Sequence, residues 1–182
     1  MENEPPMHPQ DTTRDFETIA LPHLDAAYNL ARWLTRNDQD AEDLVQAAYV
    51  RAFRFFATFR GDDARAWLLT IVRNTHFTQL RDSWESRNSL PFDEELHADG
   101  AGLEQQSPEA ALLQRDTQAA VNHALERLPT AFREVVVLKD MNDFSYKEIA
   151  EIVGVPIGTV MSRLARGRKL LLAYLDGYAP GG

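Results

Sequence analysis

Cysteine is absent from the chain, which excludes disulfides, thiolate zinc sites, iron–sulfur clusters and cysteine nucleophiles together. The five histidines, His8, His23, His76, His97 and His123, stand singly, and no two have the spacing of a metal-binding pair. Long apolar runs are missing as well. The longest, such as Val135 to Leu138, fall far short of the ~20 residues that cross a bilayer. The N-terminal Met-Glu-Asn-Glu-Pro-Pro is acidic and has no apolar stretch, so no signal peptide is expected and the expected location is cytoplasmic. There is no glycine-rich phosphate loop and no nucleophile–base motif. The expectation is therefore a non-enzyme with no metal, no cofactor and no membrane insertion. A basic excess is lacking too: 19 Lys and Arg face 28 Asp and Glu, a net charge of −9. Taken whole, that argues against a simple basic nucleic-acid binder.

What is present is helical. Hydrophobic residues make up 44% of the 182 positions, enough to build a core. Leu24, Ala27, Tyr28, Ala31 and Leu34 recur at helical spacing in a pattern that starts near Phe16. Asn37-Asp38-Gln39-Asp40 breaks that helix, with Asp40 as the expected cap of the next. Leu44, Val45, Ala48, Ala52, Phe55 and Phe56 form the second apolar stripe. After the loop Arg60-Gly61-Asp62-Asp63, a third helix is expected over 64–82, with Trp67, Leu68, Ile71, Val72 and Leu80 inward. No segment alternates at period two, so the expected fold class is all-α.

Between 86 and 107 the periodicity fails, and Pro91, Gly100, Gly102 and scattered acids replace it. Ser107-Pro108-Glu109 then reads as a helix start. Helices are expected over about 108–127, 130–140, 146–153 and 157–175. The expected organisation is a loose tail (1–13), a helical domain (14–85), a flexible acidic linker (86–107), a second helical domain (108–177) and a frayed end (178–182). Charge follows this division. Residues 1–50 hold ten acids and three bases, whereas residues 51–82 hold six bases and three acids. Residues 83–109 are again acidic, and residues 144–182 carry five bases against three acids. An acidic tether between two basic islands reads as a solvated linker, or as a segment able to occupy a groove meant for nucleic acid.

The most specific local pattern runs from Phe144 to Leu164. Ser145 and Glu148 make a capping box, Ile149, Ala150, Ile152 and Val153 supply a buried face, Gly154 suits a left-handed helix end, and Pro156 opens the next helix. Two short helices joined by a tight glycine turn are the helix-turn-helix signature. On the second helix, Val160, Leu164, Gly167 and Leu171 cluster on one side. Thr159, Ser162, Arg163 and Arg166 share another face, about 120° away. Small hydroxyls and arginines at that spacing suit a helix entering a major groove.

From Phe16 to Tyr174 the chain resembles a bacterial RNA polymerase sigma factor of the extracytoplasmic-function class. Leu128-Pro129, Arg133 to Leu138, Ser145 to Ala150 and Gly158 to Leu164 resemble that family's region 4. Asp40 to Gln46, Arg51-Ala52-Phe53, Phe59-Arg60-Gly61, Arg65 to Leu68 and Arg73-Asn74 are similar to its region 2. The resemblance implies two small helical domains that bind core RNA polymerase and promoter DNA, and a cognate anti-sigma factor. It implies polymerase contacts at Asp40, Asp43, Leu44 and Gln46, although acids there also complement the helix dipole. It implies a pocket for a base flipped from the minus-ten element at Arg60, Gly61, Asp62 and Asp63, with further minus-ten contacts at Arg73, Asn74, Gln79 and Arg81. His76 reads as a surface or boundary residue. Phe53, Phe55, Phe56 and Phe59, at helical spacing, read as core, as does Trp67. For the minus-thirty-five element it implies Lys139, Tyr146, Lys147, Thr159, Met161, Ser162, Arg166 and Arg168, to which the arginine face adds Arg163. Lys139 and Arg168 read as phosphate clamps. Met161 stands where the family often has a base, and thioether chemistry cannot pair with phosphate or guanine. Two other readings remain open at this point: a helix-turn-helix regulator that binds operators, and a sigma mimic that only sequesters an anti-sigma factor.

Overall fold

The computed structural model describes residues 9–88 and 117–177, and no strand occurs among the described residues. The all-α expectation is met. Helix α1 spans Pro9–Ala20, so residues 9–13, expected in the tail, are helical. Proline is accommodated there because the first helical N–H has no partner to lose. The single helix expected from Phe16 to Leu34 is split by a short 3-10 turn, Leu21–His23, around Pro22. Helix α2, Leu24–Thr35, buries Ala27, Leu30, Ala31, Trp33 and Leu34 and ends on Arg36 in the left-handed region, φ 58°.

Helix α3 spans Asp38–Phe55. Its cap is Asn37 rather than the expected Asp40: Asn37 is extended, and its Oδ1 accepts the Asp40 N–H at 2.9 Å. Asp40 falls at the third helical position, where its N–H needs the acceptor its own side chain was expected to be. A 3-10 turn, Phe56–Thr58, and a loop lead to Asp63, which caps α4, Ala64–Arg87, by accepting the Ala66 N–H at 2.9 Å. Helix α4 runs past its expected end at Asp82 into the first residues assigned to the linker. The rest of that linker, the Ser107-Pro108-Glu109 helix start, residues 1–8 and the C-terminal 178–182 lie outside the described residues.

Helices α2, α3 and α4 pack on one another through Leu30, Leu34, Leu44, Val45, Leu69 and Val72, all buried. A smaller cluster of Phe16, Ala20, Ala52 and Leu68 ties α1 to this bundle. There the Tyr49 hydroxyl donates to Ala20 O at 2.9 Å, and burial pushes its phenol up to about 12.

In the second half, α5 is Thr117–Arg127 and α6 is Thr130–Val136, which continues as a wider π turn over Val137–Met141. Asn142 closes that turn: its N–H and its Nδ2 both donate to Val137 O at 3.1 Å. Helices α7, Tyr146–Val153, and α8, Ile157–Asp176, follow, joined by Gly154 at φ 75°. Gly167 lets α8 lie against α6, because a Cβ there would meet Val136 Cγ2 at 2.9 Å and Phe132 Cβ at 3.3 Å.

The two halves, expected as separate modules on a tether, are seated against each other. One continuous apolar cluster runs from Ala27 and Leu30 of α2 through Leu69 and Val72 of α4 to Val135, Val137, Leu138 and Phe144. Helix α2 meets α6, and α4 meets α7.

Candidate functional site

The helix-turn-helix builds its outer face from local chemistry. Ser145 Oγ accepts the Glu148 N–H at 3.2 Å and Glu148 Oε2 accepts the Ser145 N–H at 2.6 Å, a closed capping box. Those Ser145 hydrogen bonds hold the Glu148 carboxyl below the usual carboxylate range. Ile149, Ile152 and Val153 anchor α7 beneath, and Val160, Leu164 and Gly167 anchor α8. Outward, α8 presents Met161 at 51% exposure, Ser162 and Arg166 exposed, and Thr159 and Arg163 half-buried at the edge. Tyr146 and Lys147 are exposed at the start of α7. The Ser162 hydroxyl donates back to Thr159 O at 3.0 Å, so it reaches outward only by exchanging that bond.

The two expected phosphate clamps are already engaged. Arg168 Nε donates to Asp140 Oδ2 at 3.0 Å while its Nη2 meets the other oxygen, and that pairing raises its pKa. Lys139 Nζ donates to Phe144 O at 3.2 Å, lies 3.9 Å from Asp143 and sits over the Tyr146 ring. Both are partly exposed and can exchange these partners for a phosphate at small cost, since exposed ion pairs contribute roughly 0–1 kcal/mol.

In the first half, Asp40, Asp43 and Gln46 are exposed along one side of α3, and Gln39 Nε2 donates to Asp43 Oδ1 at 3.3 Å. Leu44, expected at the polymerase contact, is instead buried to 1% exposure among α2 and α4 side chains, so its side chain cannot make that contact. It falls one position off the outward stripe, on the face turned to the bundle.

The aromatic segment also departs from expectation. Phe53 and Phe55, read as core, are 43% and 57% exposed at the last turn of α3, where Phe53 meets the Phe16 ring edge-on, centroids 5.2 Å apart. Phe56, Phe59 and Trp67 are half-buried and pack together, Phe59 and Trp67 with ring centroids 4.8 Å apart. The Phe59 ring lies beside Gly61, 3.5 Å from where a Cβ on it would stand, and Arg60, Gly61, Asp62 and Asp63 are exposed. Arg60 Nη1 donates to Ala57 O at 3.0 Å, and Asp63 is occupied as the α4 cap, which leaves Asp62 as the loop carboxylate free of a capping duty.

On α4, Asn74, Gln79 and Arg81 are exposed, but Arg73 is not. Its Nε donates to Glu134 Oε2 at 2.8 Å and its Nη2 to Glu134 Oε1 at 3.3 Å, with 9% and 2% of the two side chains exposed. Arg73 as found is covered by α6, which corrects its placement as an accessible minus-ten contact. His76, expected at the surface, is also buried. Desolvation, then the Arg73 and Arg133 charges, push its imidazole down to about 4, so it is neutral at pH 7.

Sequence reasoning missed the seam between the halves. Arg133, 1% exposed, donates to Trp33 O at 3.2 Å, and Arg65 donates to Asn142 Oδ1 at 3.4 Å with its guanidinium 4.3 Å from the Phe144 ring centre. Arg32 Nη2 lies 3.6 Å from Glu126 Oε1. The one available signal was the charged pair Arg133-Glu134 set directly before an apolar run, a place where an unpaired charge is costly. Nothing in the sequence says which distant residues answer it.

Among the described residues, no group of His, Asp or Glu is arranged to hold a metal, and no helix is long and apolar enough to cross a membrane.

Comparison with known proteins fits this geometry. Residues 19–86 match the family Sigma-70 region 2, and residues 118–171 match Sigma-70, region 4. The ECF RNA polymerase sigma factor SigE of Mycolicibacterium smegmatis is 35% identical over 88% of this chain, which spans 61% of that relative's length. The ECF RNA polymerase sigma-E factor of Escherichia coli K12 is 34% identical, over 72% of each chain. Among solved structures, the sigma factor RpoE of Bartonella quintana, in complex with the anti-sigma factor NepR, superposes with a TM-score of 0.71 at 31% identity, over 90% of this chain and 98% of that one. With both regions matched in order, and a relative more than 30% identical matched over most of its length, this chain belongs to the extracytoplasmic-function class of sigma-70-family sigma factors.

Proposed function

We propose that this chain is a promoter-specificity subunit of bacterial RNA polymerase. It docks on core polymerase through the exposed Asp40, Asp43 and Gln46 side of α3 and reads the minus-thirty-five element with the outer face of α8. The loop Arg60 to Asp63, with Asn74, Gln79 and Arg81 of α4, takes the melted minus-ten strand. The chain performs no covalent chemistry itself.

The observation that carries this reading is the α8 face. Met161, Ser162 and Arg166 are exposed, with Thr159 and Arg163 half-buried at their edge, on a helix pinned from behind by Val160, Leu164 and Gly167. A rigid helix with a backbone-anchoring arginine and small hydroxyls is suited to major-groove readout, where phosphate contacts set register and base-edge contacts specify. The net charge of −9 fits the division of labour: the chain alone binds DNA weakly, and the basic surfaces act once polymerase holds them on the promoter. By analogy with the Bartonella complex, a protein antagonist of the anti-sigma kind is its natural inhibitor.

The test is gel filtration with bacterial core RNA polymerase, beside an Asp43→Arg/Gln46→Ala variant, followed by run-off transcription from genomic fragments. Co-elution and promoter-dependent transcripts are expected from the wild type, and loss of both from the variant. Failure of the wild type to join polymerase, with no antagonist present, would leave the operator-binding regulator or the sigma mimic as the better reading.

A further inference from the structure

Met161 stands on the outer face of α8 with no charge and no strong hydrogen-bonding group to offer DNA. We propose that it reads an apolar group instead: with Ile157 beside it, Met161 packs on the 5-methyl group of a thymine in the minus-thirty-five element and so specifies a T·A pair there. The inference deepens the promoter-recognition reading and rests on it.

Ile157 and Met161 are four residues apart, so they follow one another along the same side of the helix, roughly 40° apart around it. Both are exposed, and neither joins the apolar cluster through which Val160 and Leu164 pin α8 from behind. Single exposed apolar residues are ordinary, and it is the surroundings that give this pair a partner. From Ile157 to Leu175 the helix carries Arg163, Arg166, Arg168 and Lys169 and no acid. A strip of that charge draws the phosphate backbone of a nucleic acid. Gly158, Ser162 and Ala165 are small and exposed beside Met161, and the space where a Cβ on Gly158 would stand is open to 4 Å. The helix can therefore come close to a groove floor and bring the Met161 side chain to a base edge.

The two flanks of that face differ in chemistry. Thr159 and Arg166 lie roughly 140–160° around the helix from Met161. Arg168, seven residues on and so on the Met161 side, is held by both carboxylate oxygens of Asp140. The flank around Met161 thus offers DNA an apolar surface. In the major groove the thymine 5-methyl is the apolar feature, and the other groups that distinguish base pairs are donors or acceptors. A thioether laid over a guanine or adenine edge would strip water from those groups and return no hydrogen bond, which is costly. Against thymine the same side chain gains a methyl contact, and its unbranched, polarisable chain settles there without strain.

The test uses the holoenzyme formed with core polymerase. Promoters are first selected from random duplexes. Each thymine of the recovered minus-thirty-five element is then replaced in turn by deoxyuridine, which removes the methyl group and keeps every hydrogen-bonding group. One position is expected to weaken holoenzyme binding about fourfold, the transfer value of one methyl group. At that position 5-methylcytosine is expected to bind more tightly than cytosine by a similar factor. Met161→Ala, which lies outside the buried cluster and should keep its far-UV circular dichroism, is expected to bind the thymine and deoxyuridine duplexes alike. Met161→Lys is expected to shift the base selected there to guanine. The absence of any methyl-sensitive position in the wild type overturns the proposal. So does a sensitivity that survives Met161→Ala, because another side chain would then be reading the methyl. Either result leaves the promoter-recognition reading standing, since promoters were selected. If the wild type selects no promoter at all, that reading falls and the proposal falls with it.

Discussion

Two glycines on α8 should respond oppositely to the same substitution. At Gly167 a new Cβ would lie 2.9 Å from Val136 Cγ2, 3.3 Å from Phe132 Cβ and 3.4 Å from Phe132 O. Val136 is buried and β-branched on a helix, so it has no spare rotamer to move into, and the other two atoms belong to the body of α6. Overpacking of this kind costs about 1–3 kcal/mol, against the ~1 kcal/mol gained when alanine replaces glycine in a helix. Gly167→Ala is therefore expected to destabilise by about 1 kcal/mol. At Gly158 nothing lies within 4 Å of the added Cβ, and the residue is in the first turn of the same helix. Gly158→Ala is expected to stabilise by about 0.5 kcal/mol, with only the propensity gain in play. Urea unfolding followed by far-UV circular dichroism reads both, and thermal midpoints should move by about 2–4 °C per kcal/mol in a chain of this size. A shift of the same sign in both variants would refute the argument that α8 is held against α6 by close approach at Gly167.

Two further outcomes follow from groups whose surroundings are fixed. His76 is buried neutral, its imidazole lowered to about 4 from an unfolded value near 6.5, so the unfolded chain takes up its proton first. The stability tied to its neutral form is complete above about pH 6.5 and is lost as pH falls toward 4. At ~1.4 kcal/mol per tenfold change this amounts to about 3 kcal/mol. NMR titration of the His76 ring should show a midpoint near 4, and a midpoint at the ordinary imidazole value of about 6.5 would contradict the burial. Ser145→Ala removes the acceptor of the Glu148 N–H and should cost about 1 kcal/mol by urea unfolding, more than Ser86→Ala on the exposed end of α4; equal effects would show the capping box to be idle.

The helix-turn-helix was legible because all its determinants are local. A capping box, a left-handed glycine and an apolar stripe on α8 each act within one turn of chain, and each stands as read. The start of α4 directly after the Arg60 to Asp63 loop was legible for the same reason. The misreadings share a different cause. Periodicity puts Phe55 on the apolar stripe of α3 together with Leu44, but does not say how far the bundle reaches along that stripe. So Phe55 is left open, while Leu44 is closed over as the stripe requires and the polymerase contact implied by resemblance is not available to it. Asp40 lost the cap to Asn37 because two polar residues three positions apart offer the same kind of acceptor and only the extended backbone at Asn37 selects one.

The amino-acid sequence by itself determined the helical class, the order of the two modules and the outward polar face of α8, all of which rest on interactions between residues a few positions apart. Only the tertiary structure decided that the modules lie against each other, that Arg73 meets Glu134, and that His76 loses its proton between Arg73 and Arg133. Those facts depend on pairing across 61 residues of chain and on exclusion of water from the seam, and neither distance in space nor desolvation is written in local sequence.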